Sequence, residues 1–467
     1  MQGQNFTSGN IPKQLWSVAW PMMLSVFFHS LYNIVDAFWV SKLSASAIAA
    51  VSISQIVLFV MMSLAMGVSV GTAVLVGQNI GADKKDEAQR VLGQGFLLVI
   101  IAALLFTTVI LSLKEHLLVL SGAVGEIYPL AIPYFTIVTT GSIFSFLMMK
   151  TSITFNAQGD NFTATKLFAL STLVNITLDP ILIFGHFGFP KLGIAGAAYA
   201  TLFSQFTFLA MALPIIMRPK MMVPLQLSNL RLRWESVKKV IDIGFPAALN
   251  QVLNPLGFAA LMHLVSDSFS EAGAAAFSIG FRIEFFAFIP AIGFGFGAMS
   301  MIGQNIGAKK IDRVDEVLKK AVQFGAGAAF VFTLFALIFA SQIIQVFTTD
   351  PEVVKYALLY FQIVPIGYVF FAIAFIEANV FQGIGRSWPG FWITFARVSI
   401  SVTSASICLK WLNLPIAAVW SSIVVGSVIS SSFGFLWVKK AIHAAKPIEI
   451  PSLEELESES QLTPPIG

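Results

Sequence analysis

Charge is scarce in this chain. Asp, Glu, Lys and Arg make up 11% of the 467 residues, against about 25% in an average soluble domain. A chain so poor in charge cannot cover a water-facing surface of its own size. Cysteine occurs once, at Cys408, so a disulfide framework, a CxxC pair and a cysteine zinc site are excluded. Cys408 lies in an apolar run and reads as a small packed residue. The five histidines, His29, His116, His186, His263 and His443, form no HxxxH or HExxH pattern. The GxGD pattern of an intramembrane aspartyl protease is also missing, and no nucleophile–base set stands out in the apolar stretches. An enzyme is therefore disfavoured, and no cofactor is expected. The net charge of +4 is no sign of nucleic-acid binding, because the basic residues follow a membrane pattern instead. The polar opening MQGQNFTSGNIPKQLW lacks a separate apolar region with a small-residue cleavage site, so no cleavable signal peptide is expected.

What is abundant is apolar. Hydrophobic residues reach 57%, with 44 Phe, and the mean hydropathy is +0.82. A helix needs about 20 apolar residues to cross the hydrocarbon core. Twelve such spans fit the chain: 14–40, 49–79, 89–113, 127–156, 163–184, 194–217, 237–264, 274–305, 315–341, 352–382, 388–410 and 415–438. The fold class expected is an all-α integral membrane protein with twelve transmembrane helices in two pseudo-symmetric six-helix bundles. With the N-terminus inside, 20 Lys and Arg fall on inside loops and 5 outside, and Lys150, Arg282 and Arg397 fall within spans. That asymmetry places both termini in the cytoplasm of a cell (inner) membrane.

The two halves repeat. Gly77-Gln78-Asn79-Ile80-Gly81-Ala82 recurs as Gly303-Gln304-Asn305-Ile306-Gly307-Ala308, an offset of 303 − 77 = 226. Pro21 answers Pro246, and Gly67 and Gly71 answer Gly293 and Gly297. Six spans per half make the repeat parallel, an architecture of transporters whose substrate site lies between the halves. The chain thus divides into a cytoplasmic N-terminus (1–13), an N-lobe (14–217), a basic inter-lobe loop (218–236), a C-lobe (237–443) and an acidic, Pro-rich tail (444–467) that reads as disordered. The spacing of Gly67, Gly71 and GFGFG at 293–297 suits close helix packing, since no strand precedes them to make a nucleotide loop. GQNIGA is expected to end a helix through glycine's backbone freedom.

Costly polar residues mark the candidate site. His29, Tyr32, Asn33 and Asp36 fall at i, i+3, i+4 and i+7, on one face of the first span. Asn175 and Asp179 share a face of the fifth. Asp36 lies six residues before Lys42 and Asp179 seven before His186, so both sit roughly 9–11 Å below the outer surface. Two neighbouring carboxylates in a low dielectric cannot both ionise easily. Such a pair can take a proton, or hold Na⁺ with help from Asn175 and from Thr201 on the sixth span. A pair that merely pins helices is the plainer alternative, but charges inside spans are by default functional. The C-lobe has no counterpart, because Asp36 maps onto Leu261 or Met262. Its charges, Arg282, Glu284, Glu377 and Arg397, balance in sign and suggest internal salt bridges, with a second coupling site as the alternative. Lys150 reads as snorkelling from the fourth span. Met61, Met62, Met66, Met148 and Met149 read as core, or as an adaptable cavity lining. Pro21, 15 residues before Asp36, makes a bend easy and is a candidate hinge answering to the charge on Asp36.

These residues resemble the multidrug and toxic compound extrusion (MATE) family, in the branch named for the DNA-damage-inducible protein F. The resemblance is carried by Pro21 and Asp36, by Asn175 with Asp179-Pro180, by LGIAGAAYAT at 192–201 and by the twin GQNIGA motifs, and spans about residues 10–443. It implies two lobes around a cleft open alternately to either side. It implies export of amphipathic, often cationic drugs against H⁺ or Na⁺. By that likeness Asp36 and Asp179 would be the coupling pair with Asn175 beside them, and Tyr32 and Asn33 would line the N-lobe cavity. The expectation is an H⁺-coupled drug exporter working as a monomer among membrane lipids. Na⁺ coupling and a lipid-linked precursor flippase of the same superfamily are the alternatives.

Overall fold

The computed structural model describes residues 3–448. The helices are α1 (Ile11–Ser41), α2 (Ala45–Gly81), α3 (Lys85–Ser112), α4 (Lys114–Leu120), α5 (Ile127–Thr140), α6 (Ser142–Ala157), α7 (Asn161–Phe184), α8 (Ile194–Ile216), α9 (Trp234–Gly307), α10 (Ile311–Ile338), α11 (Ala340–Phe347), α12 (Pro351–Ile363), α13 (Tyr368–Ile384), α14 (Ser387–Lys410) and α15 (Ile416–His443). No strand occurs among the described residues. With no water in the hydrocarbon core to satisfy a backbone, helices are what such apolar runs can form.

Among the described residues, ten helices are long and apolar enough to span. One of them, α9, runs for 74 residues but reverses at Phe269 and Ser270, where Ser270 takes φ 55 and ψ −165. It therefore supplies two spans, 234–268 and 271–307. The pair α5 and α6, bent by 49°, completes the twelve. Local signals set the helix starts. Asn10 accepts from Lys13 N at 2.9 Å, Ser44 from Ala47 N at 3.0 Å and Asp160 from Thr163 N at 3.3 Å, each cap typically worth about 1 kcal/mol.

The repeat is visible as reciprocal packing. In α2, a Cβ on Gly67 would lie 2.5 Å from Gly244 O, and one on Gly71 2.3 Å from Val240 O, both on the first limb of α9. On the second limb, Gly293 would meet Ala19 O at 2.9 Å, on α1. Each half thus lays its second span against the first span of the other, and missing side chains set the distance. The GQNIGA glycines serve the same end. The two helices do stop at Gly81 and Gly307, but the left-handed residues that turn the chain are Asp83 (φ 60) and Lys309 (φ 58). Gly81 and Gly307 are themselves helical, and Gln304 O and Gln78 O fill the space a Cβ would need. Close approach, rather than backbone freedom, is why glycine stands there.

Both described ends of the chain lie on this face, called here the terminal face. Phe6 is fully buried there. Its N–H donates to Gln304 Oε1 at 2.9 Å, and its carbonyl accepts from Asn305 Nδ2 at 3.2 Å and Arg313 Nη2 at 3.0 Å. In the symmetry-related place Ile448 N donates to Gln78 Oε1 at 3.0 Å. Gln304 Nε2 donates to Ala157 O at 3.4 Å, and Gln78 Nε2 to Gly383 O at 3.3 Å, where 383 − 157 is again 226. Residues 444–448, expected to begin a disordered tail, are therefore held at least at Ile448, while 449–467 lie outside the described residues.

Among the described residues four apolar cores form, and their membership differs by depth. The two nearer the terminal face mix the lobes. One joins Phe6, Leu15 and Val18 to Phe294, Ala321 and Val380, and the other joins Val74 and Leu92 to Val240, Ile243 and Met299. The two nearer the opposite face do not mix, one lying wholly within 39–198 and the other within 258–423. The lobes are cemented at the terminal face and each is closed on its own core at the other.

Candidate functional site

The N-lobe polar residues collect near the face opposite the termini. Asp36 lies five residues before the end of α1, and Asp179 five before the end of α7 (41 − 36 and 184 − 179). Both are therefore about 7–8 Å from their helix ends. The two helices that carry them, α1 and α7, pack against each other. Both carboxylates are buried, as is Asn175, whose Nδ2 donates to Asp179 Oδ1 at 3.2 Å. Asp36 Oδ1, Asp179 Oδ2 and Asn175 Oδ1 are buried with no hydrogen-bond partner among the described residues. Three free oxygens around two acids form an acceptor-rich pocket suited to a proton or a small hard cation.

The other residues expected on this face divide. Tyr32 OH donates to Thr201 Oγ1 at 2.8 Å, so the tyrosine and the threonine are joined inside the lobe. Thr201 does not hydrogen-bond either carboxylate. His29 and Asn33 are exposed and bonded to each other, Asn33 Nδ2 lying 3.0 Å from His29 Nδ1. A spacing of i, i+3, i+4, i+7 covers a wide arc of a helix, and here its two edges have different surroundings.

Pro21 stands inside an unbroken α1. Proline removes the helical hydrogen bond to Ser17 O and crowds the turn before it, and side chains of a neighbouring helix donate to other carbonyls of that turn. Thr165 Oγ1 donates to Pro21 O at 2.7 Å and Asn161 Nδ2 to Val18 O at 3.0 Å. Ser25 Oγ, one turn on, lies 2.8 Å from Thr165 Oγ1. Thr165 and Asn161 both belong to α7, the helix that carries Asp179. α1 and α7 therefore meet at two polar stations, the acid pair and the proline.

The expected salt bridges in the C-lobe do not form. No ion pair joins Arg282, Glu284, Glu377 and Arg397 among the described residues. Arg282 is exposed. Glu284 Oε2 accepts from Tyr360 OH at 2.6 Å, Arg397 Nη2 donates to Asn254 Oδ1, and Glu377 is fully buried with neither oxygen partnered. Balanced signs along a sequence do not fix distances across a bundle. Nor does Lys150 snorkel. It is buried, with Nζ 5.4 Å from the Phe96 ring, in space left by Gly95, whose Cβ would lie 2.7 Å from that nitrogen. Of the methionines, Met61 and Met148 are core, while Met66 lines a cavity between the lobes.

Sequence reasoning missed Tyr134, which is buried in the N-lobe core. It also missed Asn161 and Thr165. A lone Tyr in an apolar span was a usable signal for the first. The other two became meaningful only once α7 was known to lie along α1.

The MatE family model matches residues 21–181 and 246–407, once in each lobe. The chain belongs to the MatE family. The two matches begin at Pro21 and Pro246, the repeat-related prolines. Among curated relatives, a probable multidrug resistance protein, YoeA of Bacillus subtilis, is 28% identical, covering 90% of this chain and 93% of its own. An FAD transporter of Shewanella oneidensis is 27% identical, covering 89% of each. A solved MATE structure in a straight conformation matches with a TM-score of 0.89 at 26% identity, covering 95% of this chain and 99% of that one. One in a bent conformation matches with a TM-score of 0.89 at 25% identity, covering 95% and 98%. This MatE protein is thus a multi-pass membrane transporter of the multidrug efflux kind and not an enzyme.

Proposed function

We propose that this protein exports amphipathic or cationic drugs against H⁺ by alternating access, with protonation of Asp36 coupled to bending of α1 near Pro21. The terminal face is the cytoplasmic one, and the protein works as a monomer in the cell (inner) membrane, surrounded by lipid. The observation that carries the reading is the buried pair Asp36 and Asp179 with three unpartnered oxygens around it, in one lobe only. Cores that join the lobes at the terminal face and stay separate at the other support a cleft facing away from the termini. A carboxylate that gains a proton changes how α1 sits on α7. The same two helices share the Pro21 and Val18 contacts, so the hinge responds. The acid pair also supports placement in the branch named for the DNA-damage-inducible protein F.

Na⁺ coupling is the second reading, favoured by the oxygen-only character of the three free acceptors. A lipid-linked precursor flippase would want a more cationic cleft than this pair provides. Dye efflux from everted vesicles, driven by ΔpH or by ΔpNa, separates the readings. Extrusion on ΔpH alone that is lost in Asp36→Asn is the expected result. Extrusion on ΔpNa alone makes Na⁺ the coupling ion, and full ΔpH-driven activity in Asp36→Asn ends the coupling assignment.

A further inference from the structure

The two ends of the described chain occupy matching places on the terminal face, and one is held far more firmly than the other. Gly159, after α6, and Gly385, after α13, are related by the repeat (385 − 159 = 226), and both take a left-handed backbone, φ 75 and 89. At each, the side chain of a terminal segment fills the room a Cβ would need: the Phe6 ring at Gly159 and the Ile448 side chain at Gly385. Each segment is then received by the glutamine of the other lobe, Phe6 N donating to Gln304 Oε1 and Ile448 N to Gln78 Oε1. The N-terminal segment is further tied to its own lobe, since Gln4 N donates to Gln158 O at 3.0 Å.

The symmetry breaks at one position. Arg313, in the first turn of α10, answers Glu87 in the first turn of α3 (313 − 87 = 226). Glu87 accepts from its own neighbour, Arg90 Nη2, at 2.9 Å. Arg313 turns to the N-terminal segment instead. Its Nη2 donates to Phe6 O at 3.0 Å and to Gln14 Oε1 at 3.2 Å, and its Nη1 to Gly9 O at 3.0 Å. Lys310 Nζ adds a bond to Thr7 O at 2.8 Å. Neither cation pairs with a carboxylate among the described residues. A guanidinium carries five donors in a fixed fork that suits an acid, and here the fork is aimed at the main chain of one short segment. Ile448, in the matching place, makes a single backbone hydrogen bond among the described residues.

We propose that residues 4–9 are a latch for the terminal face. Docked in the C-lobe notch of Gln304, Asn305, Lys310 and Arg313, they hold that face closed, and they leave the notch when it opens. Contacts made in only one of two states shift the population toward that state. The segment runs directly into α1, which carries Pro21 and Asp36, so its release frees the near end of the helix that the coupling account bends. The latch rests on the alternating-access reading and adds to it what sets the balance between the two states, a bias toward the closed terminal face.

Solvent access to the core that joins the lobes tests it. In a Cys408→Ser background, Val74→Cys places a thiol in that core, and Ala131→Cys places one in the N-lobe core nearer the opposite face. Purified full-length protein is treated with a water-soluble maleimide. Arg313→Gln should raise the labelling rate of Val74→Cys about tenfold, as losing several hydrogen bonds made in one state implies, and should leave Ala131→Cys unchanged. Glu87→Gln, at the matching position that holds no segment, should change neither rate. An unchanged rate for Val74→Cys in Arg313→Gln overturns the proposal. An equal rise at both thiols also overturns it, because the variant would then have loosened the whole protein. Labelling needs no dye substrate and no ion gradient, so a failure of the exporter reading, seen as absent efflux from vesicles, is distinct from a failure of the latch.

Discussion

Gly81 and Gln304 meet across the lobe interface so closely that a Cβ on Gly81 would lie 1.8 Å from the Gln304 carbonyl oxygen. Gly307 and Gln78 repeat the contact at the same 1.8 Å. Backbone against backbone leaves no flexible atom to yield, so the closed terminal face depends on two hydrogens where other residues carry side chains. Gly81→Val should therefore force the lobes apart at that face. In a Cys408→Ser background carrying Ile306→Cys, a buried position, a water-soluble maleimide should label the cysteine severalfold faster when Gly81→Val is added. Unchanged labelling contradicts the packing account.

Phe6 closes the same face from the N-terminal side. It is fully buried and bonded through its backbone to Gln304, Asn305 and Arg313. Phe6→Ala removes the ring and should cost about 3–5 kcal/mol. A lower Tm in detergent and faster protease cleavage near residue 9 are the expected readouts. A Tm equal to wild type would show that the segment does not contribute to stability.

Thr165→Val removes the donor to Pro21 O while nearly conserving volume. The lost hydrogen bond should cost about 1 kcal/mol of stability. On the hinge account it also changes the rate of turnover while leaving the dye Kd as it was. Equal effects on Kd and turnover would point to general loosening rather than a hinge.

Much of this was legible in the sequence, for reasons that separate cleanly. The twelve spans and the parallel repeat follow from apolar run length and from one offset, which act locally and survive folding unchanged. Asp36 and Asp179 were found because depth along a helix can be counted from its end, and counted depth is what brings them level. The C-lobe charges were misread because their partners depend on how four helices rotate against one another, which residue spacing does not encode. Glu284 took Tyr360 and Arg397 took Asn254 and Phe371, choices set by distance alone. Lys150 was misplaced for a similar reason, since the room made by Gly95 lies on another helix. The glycines of GQNIGA were rightly placed at helix ends but wrongly explained, because only the facing backbone shows what they accommodate.

Gly434 gives an independent check on the C-lobe. A Cβ there would lie 2.2 Å from Glu377 Oε2. Gly434→Ala should destabilise the protein by about 1–3 kcal/mol, as overpacking does. Combining it with Glu377→Ala should recover part of that loss, because the atoms that clash are gone. Additive losses in the double variant would show that the two residues do not touch.

The central claim is that Asp36 and Asp179 form a single proton site linked to substrate. If substrate binding lowers the affinity for H⁺, bound protons must leave when substrate binds, and the linkage is reciprocal. Proton release from purified protein on addition of a cationic dye, followed in weakly buffered solution with a pH indicator, measures this directly. The account predicts release of up to about one proton per dye bound in the wild type and none in Asp36→Asn. Release that persists undiminished in Asp36→Asn, or none in a wild type that binds the dye, would contradict it.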